Sequence, residues 1–169
     1  YPGGITYSEQ RYLFRTKTPS AGEKSERGRV IFHEMAHMWF GDTVTMKWWD
    51  GLWLNESFAD FCCFEAWSGT QDRFNFAIYD GRVAFLQRKQ WGYREDVMIT
   101  THPIQHSVAD TLAAENIFDG ITYPKGAACI KQLMTVLGEE KFKAAMVEYF
   151  QKFAFKNTTL EDLLSCCQA

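Results

Sequence analysis

Several things are scarce or missing in this sequence. It has no long basic run: 18 Lys and Arg stand against 21 Asp and Glu, for a net charge of −3. Nucleic-acid binding needs a basic patch as its electrostatic footprint, so nucleic acid is not an expected partner. No apolar run approaches the ~20 residues that span a bilayer, so no membrane segment is expected in this chain. Five cysteines are an odd number, and they include two vicinal pairs, Cys62-Cys63 and Cys166-Cys167. No disulfide framework or C-x-x-C metal motif emerges from them. Reduced thiols in a reducing compartment such as the cytoplasm are expected. Internal repeats and low-complexity tracts are also missing. The first residue is Tyr1, without an initiator Met or signal peptide. The sequence therefore reads as an excised segment, and the parent's compartment is not legible from it.

What remains suits one compact subdomain. Of the 169 residues, 46% are hydrophobic and 16% aromatic, and a chain this long buries about two thirds of its unfolded surface. The pattern reads as mainly α. Ile5-Thr6-Tyr7 suggests a short strand or an extended entry. Ser20 and Glu23 form a capping box for a helix running to about Phe40 and stopping at Gly41. Asp50 suits the cap of a second helix ending near Gly69. A third is expected from about Asp72 to Lys89, and an irregular stretch from Trp91 to Asp119. Thr122 to Leu137, closed by Gly138, and Glu139 to about Phe153 read as helices. Thr158 and Glu161 suggest a second capping box and a last helix.

The chemistry concentrates in His33-Glu34-Met35-Ala36-His37, an H-E-x-x-H motif. On a helix, two histidines four apart lie on one face about one turn apart, so both imidazoles reach one ion. No Gly or Pro interrupts Arg29 to Phe40. Eighteen residues separate His37 from Glu56. That spacing allows a helix, a turn and a returning helix that aims Glu56 back at the histidines. Two imidazoles and one carboxylate leave a fourth position open, the pattern of a catalytic rather than a structural zinc site. Asp60, one turn beyond Glu56, suits either a hydrogen bond to a ligand histidine or a solvent-facing role. His102 and His106 are also four apart, but Pro103 between them spoils a helix, and they read as loop histidines.

With those residues in view, the sequence resembles the aminopeptidase N family of zinc metallopeptidases, which are gluzincins. His33 to Asp42, Trp48-Trp49-Asp50 and Leu52 to Ala59 carry the likeness. It continues in Thr101-His102-Pro103-Ile104 and in Ile117 to Gly126, and so covers nearly the whole chain. The resemblance implies the helical half of a thermolysin-like catalytic domain. It also implies one zinc ion on His33, His37 and Glu56, with Glu34 as general base. Tyr123, in a Tyr-x-Lys-Gly motif, is implied to stabilise the transition state. The implied substrates are peptides with a free N-terminus.

Two departures accompany the likeness. Pro124 stands where the family often has an acidic residue. The family's Gly-x-Met-Glu-Asn motif, whose Glu binds the substrate's amino group, does not occur in the chain. Tyr1 to Tyr7 resembles what directly follows that motif. Residues 1–169 are thus expected to be one catalytic subdomain of a larger multidomain peptidase, with the rest of the parent polypeptide as partner. Two rival readings stay open: a relative with epoxide-hydrolase chemistry, and a truncated zinc-binding fragment with little activity.

Overall fold

A computed structural model describes residues 2–74 and 80–168, with 70–74 described by backbone alone. The chain is mainly helical. In order come α1 (Glu9–Tyr12), α2 (Ala21–Ala36), β1 (Val44–Met46), α3 (Leu52–Phe74), α4 (Gly81–Asp96), α5 (Thr111–Glu115), α6 (Gly126–Leu137), α7 (Glu139–Phe153), β2 (Lys156–Thr158) and α8 (Leu160–Cys167). No helix among the described residues is long and apolar enough to cross a membrane.

The start of α2 follows its sequence signal. Ser20 Oγ accepts from the Glu23 N–H at 3.2 Å, and Glu23 returns a carboxylate to the Ser20 N–H at 2.8 Å. Two backbone donors without helical partners are satisfied at once. Regular helix ends at Ala36, four residues before the expected stop. The chain then tightens through turns, with Trp39 and Phe40 N–H groups both on the Ala36 carbonyl. It reverses at Gly41, whose φ of +134° is a conformation that glycine alone adopts freely.

The reversal sends the chain into α3, which packs along α2. Phe40, in the turns that follow α2, stacks on Phe58 of α3, with ring centroids 4.3 Å apart and planes 10° from parallel. Around that pair gather Val44, Trp53, Leu54, Phe61, Ile130, Phe142, Tyr149 and Leu163 in one apolar core. A fully buried aromatic side chain contributes about 1.5–3 kcal/mol. The stacked pair therefore fixes the two helices that later carry the histidines and Glu56.

Several boundaries differ from expectation. Of the two readings of Ile5–Tyr7, the strand is not formed among the described residues, and a short helix follows them. Asp50 sits inside a 3-10 turn, Trp49–Gly51, that leads directly into α3; its Oδ2 accepts from Gln105 Nε2 at 3.3 Å instead of capping. α3 runs on to Phe74, so the beginning of the expected third helix belongs to α3. Residues 75–79 of that expectation lie outside the described residues. α4 starts after Asp80, which accepts from the Arg82 N–H at 2.8 Å, and extends to Asp96, into the stretch expected to be irregular. The expected helix at Thr122 opens instead as a wide π turn, Ile121–Lys125, before α6. Pro124 within it has no N–H to give to a regular α ladder. α7 spans the expected residues, and Gly138 between α6 and α7 has φ +85°.

One short pairing ties the connection between α2 and α3 to the connection between α7 and α8. β1 and β2 run parallel, with Val44 opposite Lys156 and Met46 opposite Thr158. The last helix is capped one residue later than expected. Asp162 accepts from the Thr159 N–H at 2.9 Å, while the Thr158 hydroxyl shares a 2.6 Å hydrogen bond with the Tyr149 hydroxyl.

Candidate metal centre

α2 carries His33 and is capped at its C-terminus by His37, one turn on, and α3 carries Glu56 opposite them. His33 Nε2 and His37 Nε2 are 3.2 Å apart. Each lies 3.2 Å from Glu56 Oε2. Zinc bonds of about 2.0–2.1 Å at tetrahedral angles put neighbouring ligand atoms about 3.3–3.4 Å apart. The triangle thus matches one face of a tetrahedral zinc site. Among the described residues, these three form the group of metal-ligating side chains whose atoms converge on one point.

Each imidazole is turned by a second contact. His37 donates from Nδ1 to the Phe40 carbonyl at 2.9 Å, which leaves the Nε2 lone pair facing Glu56. His33 Nδ1 lies 3.0 Å from Asp60 Oδ1. Of the two roles open to Asp60, the solvent-facing one is thereby removed, because its side chain is completely buried. The other Asp60 oxygen accepts from Arg88 Nε at 3.0 Å. Burial works against ionised Asp60, but the His33 contact and the Arg88 charge more than offset it and lower its pKa.

The same opposition governs the triangle. Burial disfavours charge on His33, yet Asp60 and Glu56 overcome it and raise its pKa to about 9. His37 is raised in the same way, burial being outweighed by Glu56. Burial pushes Glu56 up, and the two imidazoles pull it down to about 2. An anionic oxygen between two basic nitrogens is a donor set that a cation completes, and such binding displaces protons from the histidines.

Tyr123 reaches the site from the π turn. Asp119 Oδ1 caps that turn, accepting from the Ile121 N–H at 2.9 Å and the Thr122 N–H at 3.1 Å. Ser57 of α3 donates to the Thr122 carbonyl at 2.6 Å. α6 begins so close to α3 that a Cβ on Gly126 would stand 1.9 Å from Ser57 Oγ. These contacts hold the Tyr123 ring 5.8 Å from the His33 ring, 26° from parallel. Burial raises the phenol's pKa well above its ordinary value, and the Glu56 carboxylate beside it adds to the shift. Tyr123 therefore keeps its proton and can donate it in a hydrogen bond. Glu34 is half-buried and faces the same polar cleft, of about 440 Å³, as His33, Arg88, Trp91 and Tyr123.

Sequence reasoning missed Arg88 and Trp91. The Arg88 guanidinium lies 4.4 Å above the Trp91 ring. A cation and an indole three apart on a helix are neighbours, and that spacing was the available signal. His102 and His106 stand outside the triangle, as their loop setting suggested. His102 Nε2 is 2.8 Å from Asp119 Oδ2, and both Nδ1 atoms lie near the Pro103 carbonyl.

Comparison with known proteins identifies the family. The peptidase family M1 domain matches residues 1–169. The chain is 43% identical over 169 residues to an aminopeptidase N of Streptomyces lividans, covering 98% of the chain and 19% of that protein. It is 39% identical over 161 residues to a leucyl aminopeptidase of Saccharolobus solfataricus, covering 95% and 20%. To the human endoplasmic reticulum aminopeptidase 2 it is 37% identical over 163 residues, covering 96% and 16%. The chain thus spans about a fifth of the length of these relatives.

Proposed function

The chain belongs to peptidase family M1, and on that premise we propose that it carries the catalytic centre of a zinc aminopeptidase. In this reading residues 1–169 are one catalytic subdomain of a larger peptidase that removes N-terminal residues from peptides. The observation that carries it is the 3.2 Å triangle of His33 Nε2, His37 Nε2 and Glu56 Oε2. These three would hold the ion. When bound, it would supply Lewis-acid polarisation of the scissile carbonyl and lower the pKa of a water to about 7.

The remaining steps fall to this chain's own side chains. Glu34 follows His33 directly and faces the cleft without belonging to the triangle. It takes the proton of the attacking water and delivers it to the departing amine. As the scissile carbonyl oxygen gains negative charge, the Tyr123 hydroxyl donates a hydrogen bond to it. Such a donor contributes about 3 kcal/mol to transition-state stabilisation. Burial of the phenol serves this role because it keeps the proton in place. Asp60 holds the His33 ring so that Nε2, not Nδ1, faces Glu56.

The test is metal content in protein purified without chelator. One zinc per chain is expected for wild type, and little for His37→Ala. Full occupancy in His37→Ala would remove the ligand assignment and with it the mechanism.

A further inference from the structure

One buried charge in the site has no partner to spare. Asp60 is completely buried, and a buried carboxylate needs compensation by opposite charge. Two cations and one imidazole face it: Arg88 Nε at 3.0 Å, Arg29 Nη1 at 3.9 Å and His33 Nδ1 at 3.0 Å. Arg29 is already committed, since its Nε and Nη2 grip both oxygens of Glu26 at 2.8 and 2.7 Å. A His33 that gives its Nε2 lone pair to a metal is neutral and offers Asp60 only an N–H. Under that condition Arg88 carries the compensation.

Arg88 also touches the other half of the site. Its guanidinium stands 4.4 Å above the Trp91 ring and 5.7 Å from the centre of the Tyr123 ring. Trp91 and Tyr123 are themselves 5.8 Å apart. A single side chain of α4 therefore connects the carboxylate that turns His33 with the ring wall that positions the Tyr123 hydroxyl.

Resting on the metallopeptidase reading above, we propose that Arg88 is a positioning residue that couples the metal-holding histidine to Tyr123, acting on His33 through Asp60. Its charge holds Asp60 in place against His33. Its flat face holds Tyr123. The two jobs need different properties: any cation of suitable reach serves the first, whereas a planar guanidinium serves the second.

That division makes the proposal testable in the full-length protein. Zinc affinity is measured by competition with a chromophoric chelator, alongside kcat and KM on an aminoacyl-amide dye. Arg88→Met is expected to weaken zinc binding by about 10- to 100-fold, the usual cost of losing a partner behind a metal ligand. Arg88→Lys is expected to recover most of that affinity while kcat stays low and KM changes little. Asp60→Asn should weaken zinc by a similar factor, and the Asp60→Asn/Arg88→Met double variant should be no weaker than Asp60→Asn alone. Losses that multiply in the double variant would overturn the proposal. So would wild-type affinity in Arg88→Met, or equal kcat in wild type and Arg88→Lys. Should wild type itself bind no zinc, the metal site falls and this inference with it. Zinc binding by wild type together with unaltered binding in Arg88→Met sinks the inference alone.

Discussion

Two histidine pairs in this chain share one spacing and differ in what the spacing achieves. His33 and His37 have ring centroids 4.7 Å apart, and His102 and His106 are just as close at 4.5 Å. Each pair even has a carboxylate at hand, Glu56 for the first and Asp119 for the second. The first pair lies at the end of a helix, where i and i+4 project from one face and both Nε2 atoms point at the same oxygen. The second straddles Pro103, and both Nδ1 atoms turn inward to one backbone carbonyl. There the nitrogens that would meet at an ion meet at an acceptor instead. His102 spends its other nitrogen on Asp119, which caps the turn bearing Tyr123. The first pair, with Glu56, forms a group that could hold a metal ion, and the other braces the loop beside it.

Substitutions can break or sharpen that contrast. The largest effect is expected from Glu34→Gln in the full-length protein. Glutamine keeps the shape and cannot take a proton, so kcat should fall by about 10²–10⁴-fold with zinc retained. Turnover above about a tenth of wild type would disqualify Glu34 as the base. Next comes Tyr123→Phe, which removes one donor to the developing oxyanion. A drop of about 10²-fold in kcat with little change in KM is expected; a rise in KM alone would mean that the hydroxyl serves ground-state binding.

Smaller effects should appear at the second pair. His102→Ala removes a contact to the Asp119 carboxylate and should cost about 1.5 kcal/mol of stability by urea unfolding. Zinc content should stay at wild type. His106→Ala should cost about 0.5 kcal/mol, since a contact to the Pro103 carbonyl and the ring contact with His102 are lost. Loss of zinc in either variant would contradict the division of labour between the pairs.

The same contrast shows what was legible in the sequence. H-E-x-x-H and Glu56 could be read because α2 is uninterrupted and the Ser20–Glu23 capping box marks its start. α7 could be read because its apolar spacing is bounded by Gly138. The split between α3 and α4 was misplaced, because α3 runs on through Gly69, the residue expected to end it. The expected cap of the last helix, Thr158 with Glu161, gives way to its neighbour Thr159, which has Asp162 three positions on. A tertiary bond from Tyr149 to Thr158 decides between them, and no local rule contains it. β1 and β2 are three residues each and pair across more than a hundred positions, so neither carries a strand signal of its own. Asp60 remained ambiguous for a related reason. Its partner Arg88 sits on a helix whose boundaries depend on packing against α3 and the π turn.

The central claim is that the ion belongs to the first pair. Anomalous diffraction at the zinc edge, from crystals of the zinc-loaded protein, addresses it most directly. One peak is expected, about 2.0–2.2 Å from His33 Nε2, His37 Nε2 and a Glu56 oxygen. A peak at His102 and His106, or none within reach of His33 and His37, would contradict the account.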